Sequence, residues 1–188
     1  MQFMLTRFRR ILWLPLMTAV VGNASPVVMD MTQSHVEIAV KATIGSFVAQ
    51  LQMFDLLVTA TPRTGQIESA VFRSNFAAIK TGDVDRDRDM NDWQQTDKFP
   101  DVIFTLTALE PAPSGKSVAR GQLRFHGVDR SLSFPISIVT KAQMIAIEGD
   151  VTIDTRDFGL PVITKFYLLK VDPIVHLHFH LQGKLADL

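Results

Sequence analysis

The sequence predicts an all-β protein whose sheet closes into a barrel or packs as a sandwich. Apolar and polar residues alternate with a period of two, turn signals separate the alternating segments, and hardly any stretch has helical periodicity. Such segments are typical of antiparallel strands with one buried face. Roughly seven or eight strands would leave two open edges, so closure into a barrel is favoured.

The first residues have the order of a secretory signal peptide. Arginines precede an apolar stretch over 11–21, and small residues follow it up to Ala24. The apolar stretch has about half of the ~20 residues that a membrane-spanning helix needs, and it contains Pro15. We therefore expect residues 1–24 to be a cleaved signal peptide, residues 25–188 to form one mature domain, and the protein to reside in the periplasm.

The strands are expected in order along the mature chain. Five segments alternate clearly, at residues 36–42, 47–53, 119–126, 131–138 and 145–153. Turn signals lie at residues 61–65, 111–115 and 127–130. One segment departs from this pattern, because residues 83–93 are strongly charged and fit a short helix with Met90 and Trp93 on one side.

The inward positions of these strands predict an apolar interior. A barrel closed by alternating apolar residues has its only shielded volume inside, and eight strands leave room for one slender ligand. The expected lining residues are Val40, Leu51, Phe104, Leu106, Leu123, Phe125, Phe134, Ile136, Ile147, Val151 and Phe158. The alternative is a solid core, which would make the chain a structural or interaction module without a ligand.

The last alternating segment holds a candidate metal site. His176, His178 and His180 share one face of a strand. Next neighbours on a flat strand face lie about 6.6 Å apart and the outer two about 13 Å apart, so all three cannot reach one ion at ~2.1 Å. A solvated outer face is the simpler interpretation, and a metal-handling protein is the alternative function.

Composition excludes other classes of protein. The chain has 19 basic and 19 acidic residues, and loss of the three arginines of the leader makes the mature domain mildly acidic. No dense basic surface is available for phosphate backbones, so no nucleic-acid partner is expected. The sequence has no cysteine and hence neither disulfides nor thiol catalysis. No hydrolase motif surrounds its serines, and we expect no enzymatic activity.

Several short motifs, in their order and spacing, resemble one known family. They are 40–47, Thr81-Gly82 with Arg86-Asp87 and Met90, 99–104, 121–123 with 126–130, 149–153 and 157–161. Together they resemble the YceI-like family of exported lipocalin-like proteins, which bind polyisoprenoid chains. The resemblance covers nearly the whole mature chain. One departure is Asp89, which stands where many members have a histidine.

The resemblance implies an extended eight-stranded antiparallel lipocalin-like barrel with an apolar channel. It also implies a bound lipid such as a polyprenyl phosphate or a quinone, and no other cofactor. The expected function is that of a periplasmic carrier for a long apolar lipid. The expected partners are this lipid and, transiently, a membrane, while the sequence leaves open whether the chain forms a homodimer.

Overall fold

Twelve antiparallel strands form one closed sheet in the computed structural model, which describes residues 24–165 and 169–186. The strands are β1 Ser25–Met29, β2 His35–Ala42, β3 Phe47–Leu51, β4 Asp55–Ala60, β5 Ile67–Asn75, β6 Ile79–Lys80, β7 Asp101–Pro111, β8 Ser117–Phe125, β9 Val128–Lys141, β10 Met144–Asp154, β11 Thr164–Lys165 and β12 Leu169–Leu185. The helix α1, Val84–Gln94, lies between β6 and β7, and single turns of 3₁₀ helix occur at Phe76–Ala78, Pro113–Gly115 and Thr155–Phe158.

The sheet closes as a ring that counts as eight-stranded, since six of the strands are consecutive halves of three interrupted strands. These halves are β1 with β2, β3 with β4, and β5 with β6. Both β1 and β2 pair with β12. The strand β4 pairs with β1, and β3 pairs with β2. In the same way, β5 pairs with β4, and β6 pairs with β3. The strands β7, β8, β9, β10 and β12 complete the ring, while β11 pairs only with the start of β12. The predicted all-β, eight-stranded antiparallel barrel with one helix is confirmed.

The predicted alternation appears clearly in β8 and β10. In β8, Ala119, Leu123 and Phe125 are buried, while Arg120 and Arg124 between them are exposed. The strand β10 follows the same pattern from Met144 to Thr152. These strands therefore place one apolar face inside the barrel and one polar face in solvent.

The turn between β8 and β9 consists of His126 and Gly127, both of which have positive φ values, 50° and 71°. A Cβ atom on Gly127 would lie 2.9 Å from the Phe99 ring. Glycine is therefore required here both for the backbone conformation and for space.

The helix α1 spans Val84–Gln94, one residue further along the chain than the predicted 83–93. The Asp83 carboxylate caps the N-terminus by accepting the Arg86 amide at 3.0 Å, and this hydrogen bond lowers the pKa of Asp83 below its ordinary value. Asp85 and Asp87 lie in the first turn, where they interact favourably with the helix dipole. Gln95 ends the helix with a left-handed backbone, φ 54°.

The barrel interior packs as two clusters of buried side chains. The aliphatic cluster contains Val27, Val58, Ala60, Ile67, Ala119, Ile136, Ile145, Ile147, Leu181 and Leu185. The aromatic cluster contains Phe76, Leu123, Phe125, Phe158 and Leu160.

A row of three phenylalanine rings links the two clusters. The Phe134 ring lies 5.4 Å from the Phe104 ring and 6.1 Å from the Phe179 ring, measured between centroids. Phe104 packs against the aromatic cluster, whereas Phe134 and Phe179 pack against the aliphatic one. Glycines make room for the row, because a Cβ on Gly121 would overlap the Phe104 ring and one on Gly149 would lie 2.7 Å from the Phe179 ring.

Candidate functional site

A cavity of about 740 Å³ lies beside α1 and is partly open to solvent. Its apolar walls come from β2, β3 and the first half of β12. These strands contribute Ile38, Val40, Ala42, Phe47, Ala49, Val171, Val175 and Leu177. The segment 161–164 lines another part, so side chains distant in sequence enclose one largely apolar volume.

The helix covers this cavity with the apolar side predicted from sequence. Met90 and Trp93 both line the cavity, and the Trp93 Nε1–H donates a hydrogen bond to the Pro161 carbonyl at 2.9 Å. Gln94 is fully buried and donates through Nε2 to the Phe99 carbonyl at 3.0 Å. Thr96 donates through Oγ1 to the Gln94 side-chain oxygen. The first two bonds tie the helix to the segments that carry Pro161 and Phe99, and the third orders the Gln94 side chain.

The aromatic cluster forms another part of the lining. Phe76, Leu123 and Phe125 all line the cavity. The Phe125 ring lies 5.8 Å from Phe76 and 5.3 Å from Phe158, in a stacked and an edge-on arrangement respectively. Phe158 itself is only 1% exposed and lies behind this lining. Rigid aromatic side chains therefore support this wall of the cavity.

Charged side chains lie where the lining reaches solvent. We use the term polar mouth for Arg86, Asp89, Asp92 and Asp172. The Arg86 guanidinium lies 4.4 Å from the centre of the Phe47 ring, within the range of a cation–π interaction. Asp172 accepts a hydrogen bond from the Ile174 amide at 2.9 Å. The hydroxyls of Ser46, Thr155 and Thr164 add neutral polar groups to the lining.

Three of the residues expected from sequence to line a channel are brought together here, namely Val40, Leu123 and Phe125. The other eight lie outside the lining. Ile136 and Ile147 belong to the aliphatic cluster, and Leu106 and Phe134 pack against it. Phe158 belongs to the aromatic cluster, and Phe104 packs against that cluster. Val151 is buried outside both clusters, and Leu51 pairs with Ile79. Most of the inward side chains therefore fill space, and ligand contact by the three lining residues stays a prediction.

Sequence reasoning missed most of the lining. Ile38, Val175 and Leu177 line the cavity, but their alternation in sequence is the same as that of inward residues that fill the core. The sequence of α1 does indicate where an apolar surface lies, because Met90 and Trp93 on an otherwise polar helix need such a surface to pack against.

The histidine face of β12 points away from the interior. His176 contacts the Thr152 hydroxyl at 3.1 Å, and His178 Nδ1 lies 3.0 Å from an Asp150 oxygen. The His180 ring stacks on His35 at 5.6 Å. In the part of the chain that the structure describes, no three or more His, Cys, Asp or Glu side chains are grouped to hold a metal ion.

The predicted signal peptide falls, except for Ala24, outside the described residues. Among the helices that are described, none has the length and apolar character needed to cross a membrane.

Comparison with known proteins assigns the family. A family model described as the YceI-like domain matches residues 24–183. The chain belongs to the YceI-like family. This confirms the resemblance inferred from the sequence motifs. No curated protein matches the sequence significantly.

Solved structures similar to this YceI-like chain share its fold at low identity. BcnA of Burkholderia cenocepacia has a TM-score of 0.71 at 20% identity, with 82% of this chain and 98% of that chain covered. The YCEI protein of Campylobacter jejuni has a TM-score of 0.66 at 17% identity, with 77% and 88% covered. A polyisoprenoid binding domain from Saccharophagus degradans, implicated in plant cell wall breakdown, has a TM-score of 0.62 at 14% identity, with 87% and 100% covered.

Proposed function

We propose that this YceI-like protein is a carrier for a long apolar lipid, of the polyisoprenoid or quinone type, held in the cavity beside α1. The main support is the cavity itself, which is about 740 Å³ in volume and largely apolar. Ligand pockets commonly measure about 300–1,000 Å³ and have apolar walls with a few polar groups. The similarity to a polyisoprenoid binding domain supports the ligand class.

The apolar wall is sufficient to bind such a ligand without strong polar contacts. Each buried methylene contributes roughly 0.8 kcal/mol, so about ten enclosed carbons contribute roughly 8 kcal/mol before the cost of immobilising the ligand. That gross figure corresponds to about micromolar affinity. Retention of the lipid through purification therefore requires enclosure of more than these ten carbons, against Ile38, Val40, Leu177 and the rest of the lining.

The proposed role is binding without catalysis. The YceI-like family is a binding-protein fold and is not a known enzyme family. Among the described residues of the lining there is neither histidine nor cysteine, so the usual base and nucleophile pairs of acyl transfer are not assembled there.

Solvent extraction tests the proposal directly. Protein purified without detergent is extracted with organic solvent, and the extract is analysed by mass spectrometry together with metal analysis of the protein. About one lipid per chain is expected from the size of the cavity. A lipid-free extract from protein with stoichiometric zinc or copper would favour the metal-handling alternative. Protein that contains neither lipid nor metal would favour a module without a ligand.

Two matched variants show where the lipid binds. Val40→Trp places an indole in the cavity lining, whereas Val48→Trp places one on the exposed outer face of the neighbouring strand, where Val48 is 53% exposed. We expect the first variant to retain much less lipid and the second to retain as much as the wild type. Equal retention by both variants would place the lipid elsewhere.

Export to the periplasm is the second part of the proposal. The order of arginines, apolar residues and small residues over 1–24 supports a cleaved signal peptide followed by a mature domain over 25–188. N-terminal sequencing of the exported protein should then begin at Ser25. Retention of Met1 on protein held in the inner membrane would make the segment an anchor instead.

A further inference from the structure

The row of phenylalanine rings between the two clusters bears on the length of the lipid tail. We propose that this row is the floor of the cavity and limits the enclosed tail to at most about thirty carbons, which is about six isoprene units. A longer polyisoprenoid leaves the rest of its tail outside the protein. This inference rests on the proposed carrier function and deepens it, because it names the size class of the lipid.

The cavity ends part-way along the strands that line it. On four strands, the deepest lining residue is followed, two positions further into the barrel, by an inward residue outside the described lining. These pairs are Val102 and Phe104 on β7, Leu123 and Gly121 on β8, Ile38 and Val36 on β2, and Leu177 and Phe179 on β12. Strand pairing joins the end points, because Phe104 is the partner of Leu123 and Phe179 is the partner of Val36.

The phenylalanine rings lie across the interior at this boundary. The Phe134 ring contacts Phe104 at 5.4 Å and Phe179 at 6.1 Å between centroids, which connects β7 through β9 to β12. On the other side of Phe104, its strand partner Phe72 stacks on Phe54 at 5.4 Å. An isoprenoid chain can therefore pass this level only by displacing a ring.

The rings of the row have no free space to move into. A Cβ on Gly121 would overlap the Phe104 ring, and a Cβ on Gly149 would lie 2.7 Å from the Phe179 ring, so both rings already lie against strand backbone. Behind the row, Ile136 and Ile147 are only 7% and 9% exposed within the aliphatic cluster. The volume that a longer tail would need is therefore occupied by protein.

The volume of the cavity gives the number of carbons. An apolar cavity of about 150 Å³ binds one benzene molecule, which is about 25 Å³ for each carbon. At this ratio, the cavity of about 740 Å³ holds at most about thirty carbons. Carbons beyond that number stay in contact with water and add little to binding.

The test uses polyprenyl alcohols that differ only in tail length. Alcohols of four, six, eight and eleven isoprene units are mixed in equal amounts in phosphatidylcholine vesicles at low concentration. Delipidated protein is added and separated again, and its bound alcohols are measured by mass spectrometry. A vesicle buries every tail completely, so a tail that the protein encloses only in part is at a disadvantage. The four-unit and six-unit alcohols should be retained within about threefold of each other, and the eleven-unit alcohol at least about tenfold less.

Variants of the row identify the floor. Phe134→Ala removes the central ring, and it should raise the ratio of eight-unit to six-unit alcohol about threefold or more. Phe134→Leu keeps an apolar side chain, preserves the fold better and should raise the same ratio by a smaller factor. The control is Ile145→Ala, which opens space in the aliphatic cluster behind the row without removing a ring. The control should leave the ratio unchanged.

The outcomes separate this inference from the carrier function. Equal retention of the eleven-unit and six-unit alcohols would overturn the length limit and leave the carrier function in place. A length limit that neither Phe134 variant shifts, or that Ile145→Ala shifts as much, would overturn the assignment of the floor to the row. Failure of the wild type to bind any alcohol of the series would overturn the carrier function together with the inference.

Discussion

The two ends of the barrel use the same alternating strands but are filled differently. Around the aliphatic cluster, side chains from β1, β4, β5, β8, β9, β10 and β12 occupy the interior. Beside α1, the strands β2, β3 and the first half of β12 enclose a cavity of about 740 Å³. Alternation therefore determines which side chains point inward, whereas the tertiary arrangement determines whether the inward space is filled.

The strand pairing explains the difference. At the filled end, β1 pairs on one side with β12 and on the other with β4, so the ring is continuous. At the hollow end, β6 pairs with β3, and in the described part of the chain it has no pairing with β7. The helix α1 occupies the position between β6 and β7 in the chain. Its residues Met90 and Trp93 line the cavity at this end.

The largest effect is expected from truncating an isoleucine at the filled end. Ile145 is 2% exposed within the aliphatic cluster, so Ile145→Ala should lower the free energy of unfolding by about 2–5 kcal/mol. Ile38 lines the cavity, so the same truncation there enlarges an existing space and should cost about 1 kcal/mol. Urea unfolding measures both, and equal losses would show that the ends are packed alike.

A smaller effect is expected when a side chain is enlarged. Ile147→Trp inserts volume into a filled cluster and should destabilise the protein by about 1–3 kcal/mol. Val40→Trp extends into the cavity and should cost less than about 1 kcal/mol while lowering lipid retention. Thermal unfolding and lipid content are measured on the same samples. Greater damage from Val40→Trp than from Ile147→Trp would contradict the assignment of filled and hollow ends.

The smallest effect is expected on the outer face of β12, a strand whose inner face contributes to both the aliphatic cluster and the cavity lining. His178 is on the outer face, where its ring contacts Asp150 and Glu148. Contacts of this kind between exposed groups contribute little, so His178→Ala should change stability by less than about 0.5 kcal/mol and leave lipid retention unchanged. Loss of a bound metal in this variant would instead revive the metal-handling alternative.

The barrel and its helix could be predicted because both depend on local patterns. Period-two alternation in β8 and β10 is a property of a few consecutive residues, and it separates Leu123 from Arg124 without knowledge of the neighbouring strands. The pair Met90 and Trp93, which predicts the apolar side of α1, is equally local. The family motifs then added the number of strands.

The cavity could not be predicted in the same way because it depends on relations between distant strands. Ile147 and Val40 have the same pattern in sequence, yet Ile147 lies in the aliphatic cluster and Val40 lines the cavity. The bulge of β7 between Leu106 and Ala108 shifts which residues face each other. Gly121 leaves room for the Phe104 ring, a relation between β8 and β7 that the pattern of neither strand shows by itself.

The pairing of β1 with β12 has a consequence for the order of folding. Neighbouring strands can pair as they emerge, but Val27 finds its partner Leu185 only when nearly the whole domain is present. Such long-range contacts form slowly, because the loop must close before the contact is gained. Until then β1 and β12 expose unpaired edges that can pair with other chains. We therefore expect ring closure to be the slow step, and the open sheet to be the species that a chaperone must protect from aggregation.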